Sequence, residues 1–100
     1  MHYLLIYEAV KDYMIRRNEF RDEYLRLAQK AQECGELILA GALGTQGSAF
    51  LFSIEDPKIA ENFAKNDPYV KNNLIISYKL LPWTTVIGKD AQNPLMKKLK

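Results

Sequence analysis

The stretch LILAGALGTQGSAFLF, residues 37–52, holds two apolar runs joined by a segment that contains glycine. The runs Leu37–Ala40 and Ala49–Phe52 have the length of short strands, and Gly41 is expected to end the first of them. Between them, Gly44–Gly47 is typical of the turn of a β-hairpin. The stretch therefore predicts an antiparallel hairpin near the centre of the chain.

The hairpin is flanked on each side by a predicted helix and a predicted outer strand. Upstream, Tyr3–Tyr7 is an apolar run of strand length, and Asp12–Cys34 carries apolar side chains spaced as one face of a helix. Downstream, Asp56-Pro57 is typical of a helix start, and Leu74–Leu81 predicts a last strand that Pro82 is expected to end. The order β-α-β-β-α-β predicts an α+β, ferredoxin-like fold, with an antiparallel four-stranded sheet and two helices on one face.

The predicted strands are apolar on both of their faces. In the first strand Tyr3, Leu5 and Tyr7 face one way, while Leu4 and Ile6 face the other. Helices on one side of the sheet cover only one set, and leaving a large apolar side chain in water costs about 1.5–3 kcal/mol. We therefore predict that a second copy of the chain packs sheet to sheet on the open face, giving a homodimer, and further assembly into a higher oligomer stays open.

The composition is that of one globular domain. The 100 residues are 48% hydrophobic and 26% charged, and the formal net charge is +2. The positive excess lies near the end of the chain, where four lysines outnumber one aspartate: Lys89, Lys97, Lys98 and Lys100 against Asp90. We predict a domain over residues 1–87 followed by a basic tail over 88–100. Because the domain itself has no basic surplus, we expect no nucleic-acid partner.

Further classes of protein are disfavoured by what the sequence lacks. No apolar run is long enough to cross a bilayer or to serve as a signal peptide, so we expect a cytoplasmic protein with no membrane partner. Cys34 and His2 are the single cysteine and the single histidine. One residue of each kind excludes an internal disulfide and the usual zinc sites. We predict neither a metal nor a cofactor.

Several short motifs together resemble the YciI-like (YCII-related) family over about residues 2–87. They are Arg17-x-x-x-Arg21-x-x-Tyr24-Leu25, Gly35, Ala40-Gly41, Asp67-Pro68-Tyr69-Val70 and Pro82-Trp83. The resemblance implies a ferredoxin-like fold that dimerises as an α+β barrel. This implication agrees with the two-faced strands.

The resemblance also implies a function, but this sequence differs from the family pattern at two positions. In the family, a cleft has been proposed as the active site, with a histidine of the first helix and the aspartate of the Asp-Pro motif, and a related member eliminates chloride from a chlorinated hydroquinone. A cofactor-free lyase or isomerase acting on a small anionic cyclic substrate is thereby implied. Here Tyr24 stands in place of the histidine, and Ala42 in place of a proline. The alternatives are a non-catalytic dimeric module that binds a small molecule or a protein, and a purely structural dimer.

Tyr24 and Asp67 are the candidate catalytic residues. A pair between them would let Asp67 act as a base or orient one, while the Tyr24 phenol donates a hydrogen bond or a proton. The structural alternatives are that Asp67 caps a short turn over Pro68–Lys71 and that Tyr24 belongs to the core.

Five residues form the candidate substrate-binding set: Arg17, Arg21, Gly41, Tyr69 and Trp83. Arg17 and Arg21 lie one helical turn apart, and paired guanidinium groups suit a carboxylate or a phenolate. Alternatively, these arginines pair with Glu19, Asp22 or a partner subunit, and the aromatic residues only pack.

Overall fold

The computed structural model describes residues 1–94, and it contains one antiparallel sheet with helices on one face. The lysines at 97, 98 and 100 of the predicted basic tail lie outside the described residues. The strands are β1 (His2–Ala9), β2 (Leu37–Leu43), β3 (Gly47–Ser53) and β4 (Ile75–Trp83), in the spatial order β2-β3-β1-β4. The helices are α1 (Tyr13–Arg16), α2 (Arg21–Glu33), α3 (Lys58–Asn66) and α4 (Pro68–Lys71). The predicted β-α-β-β-α-β order and α+β class are confirmed.

The core lies between the sheet and its helices. Leu5, at the centre of β1, is opposite Phe50 of β3 and Leu80 of β4, and both Leu5 and Phe50 are fully buried. Ala31 of α2 and Phe63 of α3 pack against the same cluster. Both long helices therefore cover one face of the sheet, as the right-handed crossovers require.

The predicted helix over Asp12–Cys34 is wrong in its first part. The chain forms the short helix α1, then a 3-10 turn over Arg17–Glu19, and α2 begins only at Arg21. Phe20 separates them with φ −111° and ψ 4°, outside helical geometry. The apolar stripe starts at Phe20, so the residues before it have no continuous face to bury, and Tyr13 alone anchors α1 in the interior.

Two predicted strand ends are also wrong. Gly41 does not stop β2, because it pairs with Ala49 and the strand continues to Leu43. Pro82 does not end β4, which runs to Trp83 with Pro82 opposite Tyr3. Since β4 is an edge strand, a residue without an N–H is tolerated there.

The face of the sheet opposite the helices is apolar and open. The register places Leu4, Leu39, Leu51 and Leu81 in one row across all strands. Leu39 is 67% exposed and Leu81 is 45% exposed. This is the uncovered apolar face on which the prediction of a homodimer rests.

No helix within residues 1–94 combines the length and apolarity needed to cross a membrane.

Gly47 is the glycine whose replacement should cost stability. A Cβ at this position would meet the carbonyl oxygen of Tyr7 on the neighbouring strand, whereas a Cβ at Gly41 would meet nothing within 4 Å. Because backbone must shift to relieve the clash, Gly47→Ala should lower the free energy of unfolding by about 2 kcal/mol or more. Thermal denaturation should show a melting temperature lower by about 8 °C or more. Gly41→Ala is the matched control, and equal melting temperatures for the two variants would contradict this packing.

Candidate functional site

A cavity of about 220 Å³ lies between the first helical segments and the β2–β3 side of the sheet. Its walls contain two arginines, three tyrosines, a serine and small or apolar residues, with no carboxylate. The lining residues are Tyr13, Arg17, Arg21, Tyr24, Leu25, Ala40, Gly41, Ala42, Ser48 and Tyr69. Of the sequence-predicted site residues, Arg17, Arg21, Tyr24, Gly41 and Tyr69 are therefore brought together.

The other two predicted residues lie elsewhere. Trp83 lines a separate depression of about 280 Å³ on the open face of the sheet, with Leu4, Leu39 and Leu51. Asp67 is fully buried and is not among the residues that line the 220 Å³ cavity. The sequence did not separate these locations, because Trp83 followed the predicted end of the last strand at Pro82 and Asp67 preceded a predicted turn. Outside a strand, side chains do not alternate between two faces in a fixed way.

Asp67 is held by two hydrogen bonds in the interior. Its Oδ1 accepts from the backbone N–H of Tyr69 at 2.9 Å, and its Oδ2 accepts from the Tyr7 hydroxyl at 2.8 Å. Asp67 is extended (φ −68°, ψ 122°) and Pro68 occupies the first turn, so the carboxylate caps α4. The structural alternative for Asp67, a helix cap, is confirmed.

The predicted Tyr24–Asp67 pair is not formed. Within residues 1–94 Asp67 bonds the hydroxyl of Tyr7, and the Tyr24 hydroxyl has no hydrogen bond to it. Sequence reasoning missed Tyr7 because it read the residue as an apolar member of β1. The available signal was that Tyr7 shares the face of Leu5, where a buried phenol needs a polar partner.

Burial sets the protonation behaviour of this region. Burial raises the pKa of Asp67 to about 6, although the hydrogen bonds from the Tyr69 backbone and the Tyr7 hydroxyl oppose the rise. Burial and the Asp67 carboxylate raise the pKa of Tyr7 and that of Tyr24 far above the usual tyrosine value. Both phenols therefore keep their protons at neutral pH, and the Tyr7 hydroxyl donates its hydrogen bond to Asp67.

An aromatic cluster fixes the wall of the cavity. The rings of Tyr24 and Tyr69 stack at 4.5 Å between centroids with planes 13° apart. Tyr13 meets Tyr69 edge-on at 5.6 Å, and the Arg17 guanidinium lies 5.8 Å from the Tyr13 ring centroid. Aromatic pairs and cation–π contacts of this kind add to the stability of the arrangement. Tyr69 of α4 thereby contacts aromatic side chains of both α1 and α2.

The two arginines of the cavity are not neutralised by carboxylates. The ion pairs found within residues 1–94 join the N-terminus to Glu55 and Arg16 to Asp12. The alternative in which Arg17 or Arg21 pairs with Glu19 or Asp22 is thus not realised in this part of the chain. The cavity therefore carries two positive charges, those of Arg17 and Arg21.

The remaining candidate ligands are dispersed. His2 is buried, and its Nδ1 is 2.7 Å from the Thr85 hydroxyl, while Cys34 is exposed at the end of α2. In the described range, 1–94, no three His, Cys, Asp or Glu side chains are grouped so as to hold a metal ion.

Comparison with known protein families matches residues 1–84 to the YCII-related domain. The chain belongs to this family. A comparison with curated proteins finds no significant match. Among solved structures, the chain is similar to 5-chloro-2-hydroxyhydroquinone dehydrochlorinase (TftG) from Burkholderia phenoliruptrix AC1100, in complex with 2,5-dihydroxybenzoquinone. The TM-score is 0.75 at 19% identity, over 91% of this chain and 99% of that chain, so this YCII-related protein shares the fold of that enzyme.

The buried carboxyl predicts a measurable pH dependence of stability. The pKa of Asp67 in the folded protein is about 6, above its ordinary value of 3.8. At a pH between these two values, the folded state therefore holds a proton that the unfolded state has released. The stability contributed by that proton is present at low pH and is lost as pH rises through about 6. Relative to wild type, Asp67→Asn should therefore gain about 3 kcal/mol between about pH 3.5 and pH 7.

Urea denaturation of both proteins across this pH range measures that difference. Asp56→Asn is the matched control, since the exposed Asp56 also bonds a helix-start N–H, that of Lys58 at 2.9 Å. The pH-dependent gain should be larger at Asp67 than at Asp56, because only Asp67 is buried. A difference that stays flat from pH 3.5 to pH 7 would show that Asp67 is not buried as a titrating acid.

Proposed function

We propose that this YCII-related protein binds a small anionic cyclic molecule in the 220 Å³ cavity. The observation that carries the proposal is a pair of arginines, Arg17 and Arg21, in a lining that holds no carboxylate. Arg17 is half-buried and Arg21 is exposed, and two guanidinium groups at one cavity favour an anion because they can donate charge-assisted hydrogen bonds to it. The tyrosine rings beside them suit a flat, cyclic ligand.

The lining itself favours binding over proton transfer. Arginine does not give up its proton in proteins, and a tyrosine phenol is protonated at neutral pH, the more so at Tyr24, whose pKa is raised. No side chain that lines the cavity therefore accepts a proton readily. This supports a non-catalytic function in binding a small molecule, which on the sequence alone was the alternative to a lyase or isomerase.

A cofactor-free lyase is the second candidate, and one observation favours it. The pKa of Asp67, about 6, suits a base near neutral pH. The charge of its carboxylate also raises the pKa of the Tyr24 phenol, which lines the cavity, so the two groups are close enough to interact electrostatically. In an elimination of hydrogen chloride, Asp67 would take a proton from the substrate, chloride would leave with the electron pair of the C–Cl bond, and Tyr24 would donate a hydrogen bond to a substrate oxygen. This step requires the substrate to reach past Tyr24 to Asp67.

The binding function is tested with 2,5-dihydroxybenzoquinone, the ligand in the structure of the dehydrochlorinase. Arg21→Gln should weaken binding of this compound by about 10-fold or more, because a charge-assisted hydrogen bond is lost. Isothermal titration calorimetry measures the affinities. Arg26→Gln is the control, since Arg26 lies on the same helix but does not line the cavity. Equal affinities for the two variants would contradict the proposal.

Two compounds, 2,5-dihydroxybenzoquinone and 5-chloro-2-hydroxyhydroquinone, distinguish the binding function from the lyase function. If the protein is a lyase, wild type should release chloride from 5-chloro-2-hydroxyhydroquinone, and Asp67→Asn should lose that activity while still binding 2,5-dihydroxybenzoquinone. If it is a binding protein, chloride release should not exceed that without protein, although 2,5-dihydroxybenzoquinone still binds in an Arg21-dependent way.

We further propose that a second copy of the chain covers the open face of the sheet. The row of Leu4, Leu39, Leu51 and Leu81 supports this, since exposed apolar rows of this kind mark association surfaces. Ala40, Gly41 and Ala42 line both the 220 Å³ cavity and the depression on the open face, so β2 separates the two. In the dimer, Trp83 would belong to the interface and not to the ligand site.

The dimer is tested by a charge on the open face. Leu39→Glu should convert a dimer of two 11.5 kDa chains into monomers, because two buried carboxylates would face the partner. Sedimentation equilibrium gives the mass. Ile15→Glu is the matched control, since Ile15 is 76% exposed on α1, away from this face. A monomeric wild type, or a Leu39→Glu variant that stays dimeric, would rule out this interface.

A further inference from the structure

Two buried hydrogen-bond donors at the cavity have no partner within residues 1–94. They are the Nε of Arg17 and the hydroxyl of Tyr69. Tyr69 as a whole is only 1% exposed. Buried polar groups in folded proteins are nearly always hydrogen-bonded, and leaving one unpaired lowers stability. Arg17 and Tyr69 both line the 220 Å³ cavity, while these two atoms lie behind its surface. A ligand that enters with a small shift of the two side chains would complete their hydrogen bonds.

The two donors belong to one local arrangement. Both Arg17 and Tyr69 pack against the Tyr13 ring, the guanidinium at 5.8 Å from its centroid and the Tyr69 ring edge-on at 5.6 Å. The charges of Arg21 and Arg17 also act on the Tyr69 hydroxyl, where they oppose the rise in its pKa that burial causes. The hydroxyl therefore lies within the electrostatic reach of both guanidinium groups.

The size of the cavity indicates what it can accommodate. A cavity of about 150 Å³ holds a benzene ring, so the 220 Å³ here accommodates one ring with a small charged substituent. The oxygens of a carboxylate accept several hydrogen bonds, and its geometry matches the Nε edge of a guanidinium. A phenolate offers a single oxygen to the same donors.

We propose that the ligand is a monocyclic aromatic carboxylate whose oxygens accept hydrogen bonds from Arg17 Nε and the Tyr69 hydroxyl. The inference rests on the proposed anion-binding function and names the chemical class of its ligand. Arg21 adds charge at the same cavity, and the ring lies among the aromatic and apolar side chains of its wall.

The experiment compares benzoate with benzamide, its neutral analogue, by isothermal titration calorimetry. Wild type should bind benzoate at least about 10-fold more tightly than benzamide. Tyr69→Phe should weaken benzoate binding by about 10- to 100-fold, because a hydrogen bond to a charged group is lost. Tyr3→Phe is the matched control, since Tyr3 packs on the core outside the cavity. Arg17→Lys, which keeps the charge but lacks Nε, should weaken binding as well.

The stability of the free protein distinguishes a ligand donor from a structural hydroxyl. Because the Tyr69 hydroxyl is unpaired, Tyr69→Phe should melt at the same temperature as wild type or higher. A hydroxyl that supports the fold would instead give a lower melting temperature. A lowered melting temperature, equal binding of benzoate by Tyr69→Phe and wild type, or equal affinities for benzoate and benzamide would each overturn the inference.

Failure of this inference is distinguishable from failure of the proposed function. If 2,5-dihydroxybenzoquinone binds in an Arg21-dependent way but benzoate does not bind, the cavity is an anion site for another class of ligand. If neither compound binds in a way that depends on the cavity arginines, both proposals are wrong.

Discussion

The hydrogen bond between the Tyr7 hydroxyl and the Asp67 carboxylate is the contact on which the site depends. It joins β1, an inner strand of the sheet, to the junction of α3 and α4, across 60 residues of chain. The same carboxylate caps α4 through the backbone N–H of Tyr69. Because Tyr69 stacks on Tyr24 and meets Tyr13, the position of Asp67 determines how the wall of the cavity is built. Because burial raises the pKa of Asp67, the free energy of unfolding also depends on whether this acid is protonated.

The order of elements and the open apolar face could be predicted from the sequence, because both follow from local patterns. Strand runs such as Tyr3–Tyr7 and the helix start at Asp56-Pro57 are set by side-chain periodicity and by residue preferences at element ends. The ends of β2 and β4 could not be predicted in this way. Gly41 and Pro82 disfavour a strand locally, and only pairing with Ala49 and Tyr3 carries the strands past them.

The candidate site was predictable in part for the same reason. Arg17, Arg21 and Tyr24 lie close together in sequence, so a common location was predictable. The single helix on which the two arginines were expected one turn apart is instead broken between them, at Phe20. The partner of Asp67 was not predictable, because Tyr7 is distant in sequence and looks like any other apolar strand residue. The unpaired Arg17 Nε and Tyr69 hydroxyl depend on the packing of three separate elements, which no local pattern encodes.

The substitution of tyrosine at position 24 gives the cavity its chemical character. The resemblance to YciI-like proteins expects a histidine there, and a histidine titrates near neutral pH. Tyr24 keeps its proton instead, because the ordinary pKa of tyrosine lies well above neutral pH, and burial and Asp67 raise it further. The positive charge of the cavity remains, while its lining offers no ready proton acceptor. Anion binding is therefore the property that this arrangement supports most directly.

A crystal structure of the protein with bound benzoate tests this account most directly. The account predicts a carboxylate oxygen within about 3.2 Å of Arg17 Nε and of the Tyr69 hydroxyl, with the ring in the 220 Å³ cavity. Benzoate bound instead on the open face of the sheet, beside Leu39 and Trp83, would contradict it. So would a benzoate-free cavity in which Arg17 Nε and the Tyr69 hydroxyl bond other protein groups.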